Sequence, residues 1–376
     1  MKLRQLAVPL FLLLFSTHLA AQVPSAPSLG ARGYLLIDHD SGRVLASKAA
    51  TERLEPASIT KLMTAYVAFN AIRNGQIGLQ DKVLVSEKAW RTEGSRMFIE
   101  VGTRVPVELL LQGMIIQSGN DASVALAEHV AGTEETFAEL MNQTAANLGM
   151  LSSNYMNSTG LPDPDHYTTA SDIAILANAI IRDFPEYYAW YSQKQFTYNG
   201  ITQDNRNALL WRDKTVDGLK TGHTEAAGYC LVSSAKRDNM RVVAVVLGTN
   251  SSSARANDSQ ALINYGFRFF ESRLLYSAGQ EITEERVWYG DPENTKLIAR
   301  DDVYVTFPRG GYDRLQASSE LRGQLEAPLS ADEQAGTLKI TLDGELLAEV
   351  PLYSATDVDE AGLFGQFVDW VLLWFE

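Results

Sequence analysis

Residues 216–247 read VDGLKTGHTEAAGYCLVSSAKRDNMRVVAVVL. Three apolar runs, Val216–Thr221, Tyr229–Ser234 and Arg241–Leu247, are separated by the turn-rich stretches Gly222–Ala227 and Lys236–Asn239. That pattern predicts three neighbouring antiparallel strands joined by hairpins. Far upstream, Gly33–Asp38 (GYLLID), the turn residues Asp40-Ser41-Gly42 and Arg43–Ala46 (RVLA) predict one more hairpin. Between the two strand groups, from about Ser58 to about Ala189, helical spacing dominates, with Pro106–Gln117 and Ala122–Ala131 as amphipathic pieces. Helical spacing returns at Ala261–Phe270. Strands at both ends with helices between predict an α+β fold, an antiparallel sheet flanked by helices.

Past about Arg273 the texture changes. Short strand candidates follow at Arg286–Tyr289, Val303–Phe307, Leu338–Leu342 and Leu346–Tyr353, with Asp343-Gly344 as a hairpin signal between the last two. They predict a small all-β domain over about 284–355. The tail Leu363–Phe375 reads LFGQFVDWVLLWF, with apolar residues at helical spacing and Gln366 and Asp369 on the other face. At about 1.5 Å per residue, residues 363–376 make a helix of roughly 21 Å, short of a bilayer core of about 30 Å. An amphipathic helix over 358–376 therefore lies on a membrane surface or docks on its own domain. Its aromatic residues suit a lipid interface. After Lys339 there are eight acidic residues and no Lys or Arg, so attraction to anionic lipid is not part of such binding. At the other end, Lys2 and Arg4, the apolar run Leu6–Phe15 and the small residues Ala20-Ala21 read as a signal peptide over 1–21. The expected organisation is a signal peptide 1–21, a first domain 22–283, the β-rich domain 284–355 and the terminal helix 358–376.

Composition narrows the function classes. The 376 residues carry 32 Lys+Arg against 46 Asp+Glu, a net charge of −14. Removing residues 1–21 takes two bases and no acids, so the expected mature charge is −14 − 2 = −16. Nucleic-acid binding is disfavoured by that balance. One cysteine, Cys230, excludes an intrachain disulfide and a thiolate-rich metal site, and is expected as a buried strand residue. The five histidines form no HxxxH or HExxH pair, which disfavours a zinc hydrolase; no metal or organic cofactor is expected. An exported chain with a single cysteine fits a bacterial periplasm.

Three short motifs carry the candidate chemistry. In Ser58-Ile59-Thr60-Lys61, the apolar stripe Ile59, Leu62, Met63, Tyr66 and Val67 predicts a buried helix starting at or just before Ser58. Ser58 and Lys61 then lie one turn apart on one face. A neutral lysine there can take the serine proton, and burial plus a second cation, Lys220, would lower its pKa. A plain N-cap and a solvated lysine fit the same spacing. A second such pair, Ser233 and Lys236, falls on a strand, where residues three apart point to opposite faces. Ser118-Gly119-Asn120 falls between two helical stretches, with Asp121 expected as N-cap of the next. It could aim a hydroxyl and an amide into a cleft, or be an ordinary turn. Ser152-Ser153-Asn154 is a decoy for it. Lys220-Thr221-Gly222, followed by His223, ends a strand, where a cation and a hydroxyl suit an anionic group. Gly222 lets a ligand approach the backbone closely.

The motifs occur in order, at intervals of 60 and 102 residues. SxxK, SxN and KTG together form the set of the penicillin-recognising serine enzymes. The chain resembles the low-molecular-weight penicillin-binding proteins, serine-type D-alanyl-D-alanine carboxypeptidases of the penicillin-binding protein 5 type. The likeness runs through PASITKLMTAYV around Ser58, IIQSGNDASVALAE around Ser118, VDGLKTGHTEAAGY around Lys220 and YGFRFFES at 265–272. It implies a β-lactamase/transpeptidase-like domain, a β-rich second domain and an amphipathic anchor on the periplasmic face of the inner membrane. It implies Ser58 as nucleophile, Lys61 as base, Ser118 as proton relay and Asn120 as holder of a substrate carbonyl. The Ser58 and His223 backbone N–H groups would form an oxyanion hole. Lys220, Thr221 and Arg255, the last in the loop after the final sheet strand, would bind the terminal carboxylate, with Gly222 in the same substrate-binding stretch. The implied partners are peptidoglycan stem peptides, β-lactams as covalent inhibitors and the inner-membrane surface. A β-lactamase is the nearest rival, but residues 160–166 (GLPDPDH) contain no Glu for deacylation. A peptidoglycan endopeptidase shares the motifs, whereas the intact triple motif argues against a non-catalytic wall-binding protein that keeps the fold.

Overall fold

The structure, a computed structural model, describes residues 23–375. The expected signal peptide, residues 1–21, lies outside the described residues. A five-stranded antiparallel sheet forms the first unit, in the order Val44–Lys48, Gly33–Asp38, Met240–Thr249, Gly228–Arg237, Val216–Thr224. The central strand explains its continuous apolar sequence. Val243, Val245 and Leu247 enter one hydrophobic core, while Val242, Ala244 and Val246 enter a second on the other face. Side chains alternate along a strand, so a run without polar breaks is what two covered faces require. The helix Ser252–Phe269 covers one face, and a helical block containing Lys61–Arg73, Val107–Ile116, Asn120–Ala131, Glu134–Leu148 and Ala170–Asp183 covers the other.

Several boundaries move. The KTG strand runs to Thr224, because the pairs Gly222↔Cys230, His223↔Tyr229 and Thr224↔Gly228 continue the ladder. Its turn is therefore Glu225–Ala227, and Gly222 and His223 lie within an edge strand. The helical stretch expected over 58–189 is interrupted by the paired strands Lys82–Leu84 and Arg104–Pro106. Residues 190–215 hold a further hairpin, Gln195–Tyr198 with Ile201–Asp204. Its turn residues Asn199 and Gly200 both take positive φ, 46° and 75°, the geometry that favours Asn-Gly. The helix expected from Ala261 starts at Ser252, because the Ser251 side chain caps it by accepting from the Ala254 N–H.

The second unit is all β. Its five-stranded sheet has the order Glu281–Arg286, Asn294–Ile298, Glu345–Ser354, Gln334–Leu342, Leu315–Leu321. Asp343 and Gly344 turn the hairpin with φ of 52° and 88°. Phe270–Tyr276, expected as the end of a helix and the run after it, is a strand paired with Val303–Pro308. Phe270–Tyr276 and the start of Glu281–Arg286, expected with the first unit, pair instead with strands of the second. The terminal helix spans Leu363–Leu372. Asp369 is turned inward, accepting from Arg286 Nη2 and the Tyr289 N–H, each at 2.6 Å. Phe364, Phe367, Trp370 and Trp374 face outward. No described helix is long and apolar enough to cross a membrane.

Candidate active site

The nucleophile candidate sits on a tight turn. Ala57–Thr60 is a 3-10 turn that runs straight into the helix Lys61–Arg73, so Ser58 precedes the α-helix proper by three residues. Ala57, just before it, has φ of 47°. That turn is wedged between two segments that only glycine allows. A Cβ on Gly160 would lie 1.8 Å from the Ala57 carbonyl oxygen, and one on Gly222 would lie 2.9 Å from that of Pro56. The second approach sets the backbone at Gly222 and His223 against the Pro56–Ile59 turn. The two N–H groups that the family resemblance assigns to an oxyanion hole belong to these segments.

Lys61 is buried, 1% exposed. Its Nζ lies 3.1 Å from Ser58 Oγ, 2.7 Å from Asn120 Oδ1 and 2.6 Å from the Thr159 carbonyl oxygen. Burial, reinforced by the positive charge of Arg206, pulls its pKa from the ordinary 10.5 to about 7, against the opposing carboxylates Asp121 and Glu134. Arg206 thus supplies the second cation expected of Lys220. It lies in the loop after the hairpin Ile201–Asp204, between the buried Asn205 and Asn207. Asn207 holds that loop to the KTG strand through the Gly218 carbonyl, 2.9 Å away.

Asn120 opens the helix Asn120–Ala131. Its Oδ1 accepts from Lys61, and its Nδ2 donates to the Glu93 carbonyl at 2.6 Å. Its observed partners therefore orient the lysine. The N-cap of this helix is Gly119, not Asp121. Asp121 instead accepts backbone N–H groups from Met97, Phe98 and Ile99, fastening that loop to the helix. Ser118 is held with φ of 74°, unusual for a side chain other than glycine. Its Oγ is buried and has no hydrogen-bond partner. A buried hydroxyl left without a partner on a strained residue calls for an explanation outside folding stability.

Lys220 is 3% exposed and donates to the Thr221 carbonyl at 3.2 Å. Burial, then repulsion from Lys61, Arg206 and Arg255, holds its pKa well below the usual lysine value. Lys220, Lys61, Arg206 and Arg255 crowd together here, so this end of the cleft attracts an arriving carboxylate. Arg255 belongs to the first turn of the helix Ser252–Phe269, not to a loop. Its guanidinium donates to the Gly222 carbonyl at 3.1 Å and braces the strand from behind. His223 is exposed and stacks on Tyr229 at 3.8 Å between ring centroids.

The expected decoys stay apart. Ser233 is buried while Lys236, three along the strand, is exposed. Ser153 is bonded to Asp172 at 2.7 Å. A cavity of about 870 Å³ opens between the Lys236–Met240 hairpin and the strand Phe270–Tyr276, and shares no residue with the Ser58 constellation. Among the described residues no cluster of His, Cys, Asp and Glu could hold a metal ion.

Comparisons with known proteins agree with this geometry. Residues 20–251 match the family described as D-alanyl-D-alanine carboxypeptidase, and residues 270–360 match the penicillin-binding protein 5 C-terminal domain. The D-alanyl-D-alanine carboxypeptidase DacC of Escherichia coli is 43% identical over 374 residues, covering 97% of this chain and 94% of that protein. DacA of Haemophilus influenzae is 44% identical, covering 92% and 90%. The crystal structure of penicillin-binding protein 5 from Haemophilus influenzae superposes with a TM-score of 0.87 at 42% identity, covering 90% of this chain and 100% of that one. Penicillin-binding protein D2 of Listeria monocytogenes, in its ampicillin-bound form, matches with a TM-score of 0.60 at 28% identity, covering 65% of this chain and all of that one.

Proposed function

The chain belongs to the D-alanyl-D-alanine carboxypeptidases of the penicillin-binding protein 5 type, and from that premise we propose that Ser58 is its acylated nucleophile and Lys61 its base. The carrying observation is the environment of the Lys61 amine. A neutral amine has two N–H groups and one lone pair. The two N–H groups are taken by Asn120 Oδ1 at 2.7 Å and the Thr159 carbonyl at 2.6 Å. The lone pair is then directed at the remaining neighbour, Ser58 Oγ at 3.1 Å. With a pKa of about 7, about half the molecules carry that lone pair at neutral pH.

Ser58 Oγ attacks the carbonyl carbon of the penultimate D-alanine in a peptidoglycan stem pentapeptide, and its proton passes to Lys61 Nζ. The C–N bond breaks, and a proton delivered through Ser118 Oγ leaves with the terminal D-alanine. Lys61, neutral again, takes a proton from water, which hydrolyses the Ser58 ester. Lys220 and Thr221 hold the substrate's terminal carboxylate, and Arg206 adds charge at that end of the cleft. A β-lactam presents a strained acyl donor with a carboxylate to the same groups and acylates Ser58. Incubation with a diacetylated Lys-D-Ala-D-Ala peptide should release D-alanine from wild type and not from Ser58→Ala. Equal release from both would refute the assignment.

The second part of the proposal is location: an exported protein held at the outer face of the inner membrane by its last helix. The supporting observation is that the helix turns its one central acid inward, Asp369 being 4% exposed, while Phe364 and Trp374 are 82% and 74% exposed. Deleting residues 358–376 should move the protein from the membrane pellet to the soluble fraction. A full-length chain already in the soluble fraction contradicts the anchor.

A further inference from the structure

We propose that Glu134 is a positioning residue for the reaction, fixing through Ser158 the carbonyl that orients the Lys61 amine, and that Lys88 tunes it. This inference rests on Lys61 being the base. Glu134 opens the helix Glu134–Leu148 and is 8% exposed. Its Oε1 accepts from the Ser158 N–H at 3.1 Å and from Ser158 Oγ at 2.7 Å. The next residue supplies the Thr159 carbonyl that accepts from Lys61 Nζ at 2.6 Å. The segment is pinned from other sides too. Thr64 Oγ1 donates to the Ser158 carbonyl at 2.7 Å, and Asn157 Oδ1 accepts from the Thr159 and Gly160 N–H groups. Of these clamps on Ser158, only Glu134 carries charge. Its other oxygen faces Lys88, whose Nζ lies 3.0 Å from Oε2 and also binds Glu135 at 2.8 Å.

The arrangement couples a surface ion pair to the base. The charged groups acting on Lys61 are Arg206 from the loop after Ile201–Asp204, Asp121 from the helix Asn120–Ala131, and Glu134, while Lys61 itself acts on Lys220 of the KTG strand. Of the two carboxylates, Asp121 is occupied with the backbone of residues 97–99. Glu134 is the one whose field an adjustable, half-exposed lysine partly cancels. The carboxylate favours the ammonium form of Lys61, and Lys88 offsets this.

The test is the pH dependence of acylation by a fluorescent penicillin in wild type, Glu134→Gln and Lys88→Met. The rate should climb with pH as Lys61 loses its proton. Glu134→Gln removes the negative charge, so its climb moves to lower pH by about half a unit or more. Its plateau also falls, because one amide oxygen cannot serve both Ser158 and Lys88. Lys88→Met leaves the carboxylate uncompensated, so its climb moves to higher pH. Lys88 has 46% of its side chain exposed, and its removal leaves the core packing intact. Climbs that coincide with wild type within about 0.2 unit, or that move in the same direction, overturn the proposal while leaving Lys61 as base. A wild type with no climb between pH 6 and 8 overturns both.

Discussion

Gly160→Ala should damage the site more than any other single-methyl change in the chain. Its φ is +80°, and the added Cβ would lie 1.8 Å from the Ala57 oxygen, 2.4 Å from the Ala57 carbonyl carbon and 2.8 Å from Thr60 Oγ1. An ordinary contact needs 3.4 Å, so the two segments must part by about 3.4 − 1.8 = 1.6 Å. Two of these atoms are backbone and cannot swing aside. An alanine in the left-handed region costs about 1–2 kcal/mol, and forcing a methyl into a packed site roughly 1–3 more. At roughly 2–4 °C per kcal/mol, the catalytic unit should melt about 10 °C lower. Both segments carry chemistry: Ala57 precedes the nucleophile, and Thr159 holds the base. A misplacement near 1 Å costs on the order of 100-fold in rate, so acylation by a fluorescent penicillin should fall by about that factor. Gly102→Ala is the control, since Gly102 has φ of +77° but nothing within 4 Å of its Cβ. It should show the strain in melting and wild-type acylation. If Gly160→Ala behaves like Gly102→Ala in both assays, the wedge between the nucleophile turn and the 157–161 loop is not what sets the geometry.

Other outcomes follow from the same residues. Ser118→Gly relieves a φ of 74° and removes a hydroxyl without a partner. It should melt higher, by about 1 kcal/mol of stability, while releasing D-alanine far more slowly. Lys61 falls from 10.5 to about 7 on folding, so between those values the unfolded chain binds more protons than the native one. Stability should therefore rise with pH from about 7 towards 10.5, the full cost of roughly 5 kcal/mol being present below 7. Lys61→Met should flatten that rise in urea titrations at pH 7 and 9, and an unchanged slope would contradict a neutral buried amine. Arg206→Gln removes a positive charge near Lys61, so the pH at which activity climbs should move upward.

How much of this was legible depends on distance along the chain. Ser58 and Lys61 were readable because three residues of one helical turn determine their contact, whatever the rest of the fold does. The strand 240–249 was readable because an uninterrupted apolar run has few uses other than a sheet covered on both faces. Arg206, Thr159 and Glu134 left no local signal: each comes to bear on Lys61 only once segments distant in sequence pack together. Asp121 had the composition of an N-cap, yet three N–H groups of residues 97–99 compete for it. Residues 252–260 are mostly polar and hide the helical period around Arg255, although Ser251 has the composition of a cap. Asn199-Gly200 carried a hairpin signature, and the strands beside it are only four residues each.

The central claim is a covalent bond at one oxygen. Purified protein incubated with benzylpenicillin, digested and mapped by mass spectrometry should carry the penicilloyl mass on the peptide containing Ser58. Ser58→Ala should carry none. An adduct on Ser118, or an unmodified chain under conditions where the protein is folded, would contradict it.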